Sequence, residues 1–381
     1  MARSDLRPVV VLGATGSIGA QTLDVADRLS IPVVGLAAGH SSAALDDLAD
    51  RYPDAQVAVA AAGGEIPSRF GVGSEAVAEL ATIPESVVVN GIVGAAGLEP
   101  TLAGLTAGNR VALANKESLV TGGPLVLEAL ATDGAELLPV DSEHSAIWQC
   151  MAGEAADRVK RVVLTASGGP FRGKSRQELA EVTVDEALAH PTWDMGNRIT
   201  IDSATLMNKA LEVVEAHFLF GLDFDQIDVV VHPQSYVHAF VEFVDGVVKA
   251  EVGPPDMRKP IQVALTHPDR APDPHQHFDV VGTELSFLAP DRNAFPALDL
   301  GYEAGRRGGN APAVLNAADE IAVSAFLDGR IPFTAITDIV SDSLDAVPHR
   351  SLERLEDALA ADAAGRQAAA DAVHRLANSG R

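Results

Sequence analysis

Three carboxylates, with a few hydroxyl, amide and cationic side chains, stand at spacings that could do chemistry. Asp141 and Glu143 lie two residues apart in PVDSEH, so in an extended segment they point to the same side. Glu212 lies in HPTWDMGNRITIDSATLMNKALEVVEA (residues 190–216), four residues after Asn208 and three after Lys209, which brings amide, ammonium and carboxylate onto one helix face. Three carboxylates with no Cys/His pattern suit a hard divalent cation such as Mg2+ or Mn2+ rather than zinc. Asp202 and Ser203 are candidate N-caps of the Glu212 helix. Ser203 and Thr205 would add hydroxyls where a helix N-terminus already favours an anion, which reads as a phosphate seat. Just upstream, Trp193 and Met195 sit among Pro191, Asp194, Gly196 and Asn197 without apolar periodicity, the pattern of a lid.

Each reading has a structural alternative. Asp141 and Glu143 could be turn and N-cap residues ahead of a helix near 146–151. The Glu212 helix, packed through Leu206, Ala210, Val213 and His217 and ended by Gly221, could turn its charges to solvent, where a Lys209–Glu212 pair contributes about 0.3 kcal/mol.

The elements that must position these residues follow from the rest of the chain. An apolar run at 8–12 opens into GATGSIGAQTLDVADRL, with glycines at 13, 16 and 19. This strand, turn and helix is a variant of the dinucleotide fingerprint, in which Thr15, Gly16, Ser17 and Ile18 bring backbone N–H groups to a pyrophosphate; a glycine turn serving only helix–strand packing is the alternative. Further apolar runs at 32–37, 56–60, 87–90, 110–114 and 136–140 make six strands of a doubly wound sheet. The segment after the second strand, AAGHSS, has no acid for a ribose 2′-hydroxyl, which favours NADP over NAD. LANKES, with Asn115, Lys116 and Glu117, and PVDSEH both follow strands at the ligand-binding edge. From about Arg161 a strand leads to the anion-accepting turn Ser167-Gly168-Gly169. Strands at 227–231, 237–244 and 247–252, the last two joined by Asp245-Gly246, predict an antiparallel sheet with helices on one side. His232 ends one of them and could face the site or be packed. Helices are expected at about 297–307, 311–328, 333–346 and 351–377, with no catalytic constellation among them.

The 381 residues carry 28 basic and 53 acidic groups, a formal charge of -25, which disfavours nucleic acid and anionic membranes as partners. Lysine occurs only at 116, 160, 174, 209, 249 and 259, so Lys116 and Lys209 are the first candidates for an anionic substrate. No apolar run is long enough for a membrane span, the N-terminus lacks a signal-peptide core, and the single cysteine, Cys150, fits a reducing compartment and a buried packing role. A cytoplasmic protein is expected.

GATGSIG, LANKES, PVDSEHSAIWQC, TASGGPF, the 190–216 run, VVHPQSYVH and LNAADEIAVSAFL stand in one order and spacing, and the chain closely resembles the 1-deoxy-D-xylulose 5-phosphate reductoisomerase family. The resemblance implies NADPH- and divalent-metal-dependent rearrangement and reduction of that sugar phosphate, on the isoprenoid precursor route, by a homodimer. Carried over by position, it implies NADPH contacts at Thr15, Gly16, Ser17, Ile18, Gly39, Asn115, Glu117 and Gly196, with His40 and Ser41 beside them. It further implies metal ligation by Asp141, Glu143 and Glu212, and substrate contacts at the reacting end from Lys116, Ser142 and Glu143, the first and last being the catalytic candidates. Phosphate contacts fall on Ser167, Ser203, Asn208 and Lys209 with His190 nearby; Trp193 closes the lid, and Glu212 and His232 complete the substrate set. Family members often carry Lys-Asn where this chain has His40-Ser41, which weakens a charged clamp on the 2′-phosphate.

The expected fold is α/β: an N-terminal Rossmann-type doubly wound parallel sheet at 1–149, a central α+β catalytic domain at 150–282, a linker at 283–296 and a C-terminal helical bundle at 297–381. Two other readings are a semialdehyde-type NADPH reductase, which needs a nucleophilic cysteine or no metal, and a non-enzymatic dinucleotide sensor, which needs a partner module.

Overall fold

The computed structural model describes residues 6–63, 66–193, 195–275 and 277–379. Alternating strands and helices open the chain: β1 (Val9–Leu12), α1 (Ser17–Leu29), β2 (Val33–Ala38), α2 (Ala43–Arg51), β3 (Gln56–Val59), β4 (Gly71–Val72), α3 (Ser74–Leu80), β5 (Val87–Asn90), α4 (Leu98–Thr106), β6 (Arg110–Leu113), α5 (Lys116–Leu130), β7 (Glu136–Pro139) and α6 (Ser142–Met151). The apolar runs become the parallel sheet β4-β3-β2-β1-β5-β6-β7, with the expected six strands and a seventh, β4. Two residues carry too little periodicity to announce that edge strand. Val9 to Leu12 and Val87 to Val89 are fully buried, as strands covered on both faces require. α2 begins at Ser42, whose Oγ accepts from Leu45 N at 3.3 Å. α5 kinks at Gly122, two residues before Pro124.

The chain continues through β8 (Val159–Ala166), α7 (Arg176–Leu179), α8 (Val184–Leu188), α9 (Asn197–Thr205), α10 (Met207–Phe220), β9 (Ile227–Val231), β10 (Val237–Phe243) and β11 (Val248–Val252). The second sheet runs β11-β10-β8-β9 and is mixed: β10 pairs antiparallel with β8 and β11, but β8 and β9 are parallel. This corrects the antiparallel expectation, because four helices lie between β8 and β9 and return the chain in the same direction. The β10–β11 hairpin turns at Gly246, at φ +85°. After it come α11 (Arg258–Thr266), α12 (Ala297–Arg307), α13 (Ala311–Leu327), α14 (Ala335–Ala346) and α15 (Leu355–Ser379), the last four close to their expected bounds. Among the described residues no helix is long and apolar enough to cross a membrane.

Two compact units result. The first takes the chain up to Ser118, Pro124–Ser145 and Asp256–His275; the second takes Leu119–Gly123, Ala146–Pro255 and the chain from 277 onward. Residues 256–275, expected in the central domain, thus belong with the nucleotide-type sheet: α11 packs on α1, and Arg28 Nη2 donates to Gln262 Oε1 at 2.5 Å. The C-terminal helices share one core with the second sheet, through Val162, Leu211, Val214, Leu298 and Leu315 among others. The 283–296 segment is more than a connection, since Leu288 exchanges backbone hydrogen bonds with Val231 at 2.8 and 2.9 Å.

Candidate active site

In the first unit the strand order reverses at β1, flanked by β2 and β5, and the glycine turn lies at that switch point. Gly13 has φ +82°, and a Cβ there would stand 2.7 Å from Gly91 O; a Cβ at Gly19 would stand 2.4 Å from Gly13 O. Only glycine lets α1 approach β1 so closely. Thr15, Gly16 and Ser17 are exposed and Ile18 is half-buried. No side chain caps the α1 N-terminus, so its first-turn N–H groups suit a pyrophosphate. Gly39 and His40 are exposed and Ser41 half-buried on the loop after β2.

Asn115 and Glu117 also do structural work. Asn115 is 1% exposed; its Oδ1 accepts from Ser118 N at 2.9 Å, and its Nδ2 donates to Ile92 O, Gly94 O and Glu117 Oε2 at 2.8 to 2.9 Å. Glu117 Oε1 accepts from Gly94 N at 3.0 Å. Both side chains therefore hold the loop that leaves β5 beside the glycine turn.

At the ends of β6 and β7, Lys116 Nζ lies 2.6 Å from Asp141 Oδ2, both largely buried. Asp141 leaves the strand and Glu143 falls in the first turn of α6, which starts at Ser142, four residues earlier than expected. The two carboxylates thus do not share an extended segment. They still offer oxygens within 4.8 Å of each other, because Asp141 Oδ1 accepts from Ser142 N at 3.0 Å and Ser142 Oγ donates to Glu143 Oε2 at 2.5 Å. Their all-oxygen donor chemistry fits Mg2+ or Mn2+. Buried His144 lies with Nδ1 3.8 Å from Asp141 Oδ2, a neighbour that the spacing did not mark.

In the second unit the phosphate-seat candidates meet. His190 Nδ1 accepts from Thr192 N at 3.2 Å and Trp193 N at 2.9 Å, so Nε2 carries the proton. That N–H points at Ser167 Oγ, 2.9 Å away, and Ser203 Oγ, 3.2 Å away. Burial lowers the His190 pKa and keeps the ring neutral. Gly169 N donates to Ser167 Oγ at 3.1 Å, and a Cβ at Gly169 would stand 2.9 Å from Ser203 O, so the turn after β8 rests on α9. Trp193 is half-buried, Gly196 is an exposed N-cap of α9, and Asp194 lies outside the described residues.

The Glu212 segment departs from its expected form. It is two helices broken at Leu206, a left-handed residue at φ 63°, so Asp202 and Ser203 lie inside α9 rather than capping the next helix. Thr205 does the capping, accepting from Met207 N at 3.2 Å. The helix N-terminus therefore falls at 207–209, bringing Asn208 and Lys209 into its first turn. Asn208 Nδ2 donates to Glu212 Oε1 at 2.6 Å and Lys209 Nζ to Oε2 at 2.5 Å. The convergence is as the spacing indicated, but the face is not solvated: Lys209 is 3% and Glu212 0% exposed.

His232 is packed. Its Nδ1 donates to Ser286 O at 2.9 Å, its Nε2 accepts from Tyr236 N at 3.2 Å, and its ring stacks on Phe287. Both of its nitrogens are thus engaged within the protein. Cys150 is buried, and burial pushes its thiol to about 11, the reverse of a nucleophile.

The sequence reading missed a polar contribution from α13. Arg198 of α9 reaches Asn316 Oδ1 at 2.7 Å and Glu320 Oε1 at 2.9 Å, both within the LNAADE stretch, where polar residues at positions 316, 319 and 320 interrupt an apolar helix.

Comparisons with known proteins match this architecture. Residues 9–123 match the family 1-deoxy-D-xylulose 5-phosphate reductoisomerase, 137–220 its C-terminal domain, and 252–368 the DXP reductoisomerase C-terminal domain. The enzyme of that name from Xanthomonas oryzae is 50% identical over 96% of this chain and 97% of its own; that of Pelotomaculum thermopropionicum is 45% identical over 98% and 100%. The Zymomonas mobilis enzyme in complex with NADPH superposes with a TM-score of 0.87 at 43% identity, covering 97% of this chain and 99% of the other. A DOX-P reductoisomerase in complex with NADPH, fosmidomycin and magnesium gives 0.89 at 38% identity over the same shares. With three successive segments matched and half the residues shared across nearly the whole length, this chain belongs to the 1-deoxy-D-xylulose 5-phosphate reductoisomerase family.

Proposed function

We propose that this protein converts 1-deoxy-D-xylulose 5-phosphate to 2-C-methyl-D-erythritol 4-phosphate, using NADPH and Mg2+ or Mn2+, in isoprenoid precursor synthesis. The observation that carries the reading is Lys116 on Asp141, with Glu143 alongside, at the ligand edge of a sheet whose switch point carries a phosphate-binding turn.

Asp141, Glu143 and Glu212 would hold the divalent ion, and residues 15–18 with 39–41 the cofactor; Gly196 would add a backbone contact. Asn115 and Glu117 would serve NADPH through the 92–94 loop they fix. When bound, the ion would supply Lewis acidity to the substrate's oxygens and NADPH would supply a hydride. Lys116 brings a buried positive charge to oxygens that gain negative charge, and Lys116 or Glu143 passes the proton between them. Ser142 holds Glu143 in place. Ser167, Ser203 and neutral His190 donate to the phosphate, joined by Asn208 and Lys209. Their distance from the reacting carbons lets binding energy close Trp193 over the substrate. A cytoplasmic homodimer completes the proposal. The buried, high-pKa Cys150 counts against a semialdehyde-type reductase.

The test is NADPH oxidation with this substrate, with Mn2+ or chelator, in wild type and Glu212→Gln. Turnover requiring the metal, and falling at least about 1,000-fold in the variant while NADPH binding persists, is expected. A wild type that binds NADPH but never consumes this substrate would sink the reaction.

A further inference from the structure

The charges between α9 and α13 do not balance. Arg198 lies with Nε 3.5 Å from Asp202 Oδ2, Nη2 3.7 Å from Asp319 Oδ2 and Nη1 2.9 Å from Glu320 Oε1. Arg366 of α15 takes the other Glu320 oxygen at 2.5 Å and Asp362 at 2.6 Å. Among the described residues, the ion pairs thus set two guanidinium groups against four carboxylates, Asp202, Asp319, Glu320 and Asp362. The other helices packed on α13 add little. Charged residues of α12 and α14 face solvent apart from half-exposed Arg307, and α10 brings Glu215 and a Lys209–Glu212 pair that is already joined.

The deficit falls where charge is most costly. Asp319 is fully buried and Asp202 is 4% exposed. Neither Asp319 oxygen meets an N–H in hydrogen-bonding geometry, and 3.7 Å to Arg198 is too long for one. Asp202 and Asp319 both lie within 4 Å of the one Arg198 guanidinium, and buried carboxyl groups brought together in this way are joined by a proton. Burial first, then the negative charge of Asp202, hold the Asp319 carboxyl well above the usual range, with Arg198 opposing.

We propose that Asp202 and Asp319 share one proton, and that this joint, threaded by Arg198, fixes α9 and its Ser203 to the C-terminal helices. Asp319 is then a positioning residue for the phosphate pocket, a role that rests on the reductoisomerase reading. The shared proton itself does not.

Asp319→Asn permanently supplies the N–H that the proton supplies, whereas Asp319→Ala supplies nothing. Folded Asp319 binds its proton more tightly than the unfolded chain does, so wild type loses stability as pH rises and the Asn variant does not. In the full-length protein the melting temperature of Asp319→Asn should gain on wild type by about 2 °C or more as the pH rises from about 4, the ordinary carboxylate value, to about 9. A protonated-carboxyl infrared band should be present in wild type and lost in the variant. With 1-deoxy-D-xylulose 5-phosphate, Asp319→Asn should keep KM within about twofold while Asp319→Ala raises it about tenfold, kcat changing less. Parallel melting profiles and no protonated-carboxyl band would overturn the shared proton, whatever the reaction and whether or not the Ala variant folds. An Asn variant with the KM of the Ala variant would overturn the positioning role.

Discussion

On the proposed function, the glycine turn after β1 and the pocket around α9 and α10 would solve the same problem, holding a phosphate, in opposite ways. The turn presents backbone N–H groups from exposed residues and almost no side-chain chemistry. The pocket is made of side chains, a neutral imidazole N–H between two hydroxyls and a lysine on a carboxylate, much of it buried. A site of backbone should be sensitive to added volume and insensitive to which polar groups surround it. A site of buried side chains should be sensitive to single polar atoms and to pH.

The sharpest way to break the contrast is Gly19→Val. A Cβ 2.4 Å from Gly13 O meets backbone on both sides, so we expect loss of NADPH binding and about 3 kcal/mol or more of destabilisation, read by fluorescence titration and melting. Ser17→Ala, by contrast, should leave NADPH affinity within about twofold.

His190→Gln tests the other side. It should raise KM for the sugar phosphate about tenfold with a smaller change in kcat. Because burial lowers the His190 pKa, the unfolded chain binds more protons just below the ordinary histidine value. Wild type therefore loses stability on acidification through that window, and the variant, with nothing to titrate there, should lose less. Identical acid limbs in melting curves would show that the pocket does not feel pH through this ring.

The smallest effect is expected at His40. On an exposed loop, His40→Lys adds a charge to a backbone site and should improve KM for NADPH by about threefold, with none for NADH.

The difference between the two sites also explains what could be read from the chain. Spacing specified the glycine turn almost completely, because steric exclusion of Cβ atoms is local. Six of the seven strands and the four C-terminal helices followed from periodicity for the same reason. Asn208, Lys209 and Glu212 were paired correctly by helical geometry, but their burial was invisible, since it comes from elements far along the chain. The break at Leu206 was hidden by a hydrophobic pattern that continues through it, with a leucine in a conformation that usually advertises itself as glycine. That Asn115 also clamps the loop at 92 and 94 was out of reach, because those partners cannot be predicted from its own neighbourhood.

The division of the chain into interleaved segments has a consequence for how it is made. On the ribosome, all seven strands of the first sheet emerge by Pro139, yet α11, which covers α1, appears only from Arg258 onward. Until then the nascent first unit must wait with a face of α1 uncovered, while the second sheet and its first helices are translated. No single truncation yields either unit intact, so this protein should meet chaperones late and as a nearly complete chain rather than domain by domain.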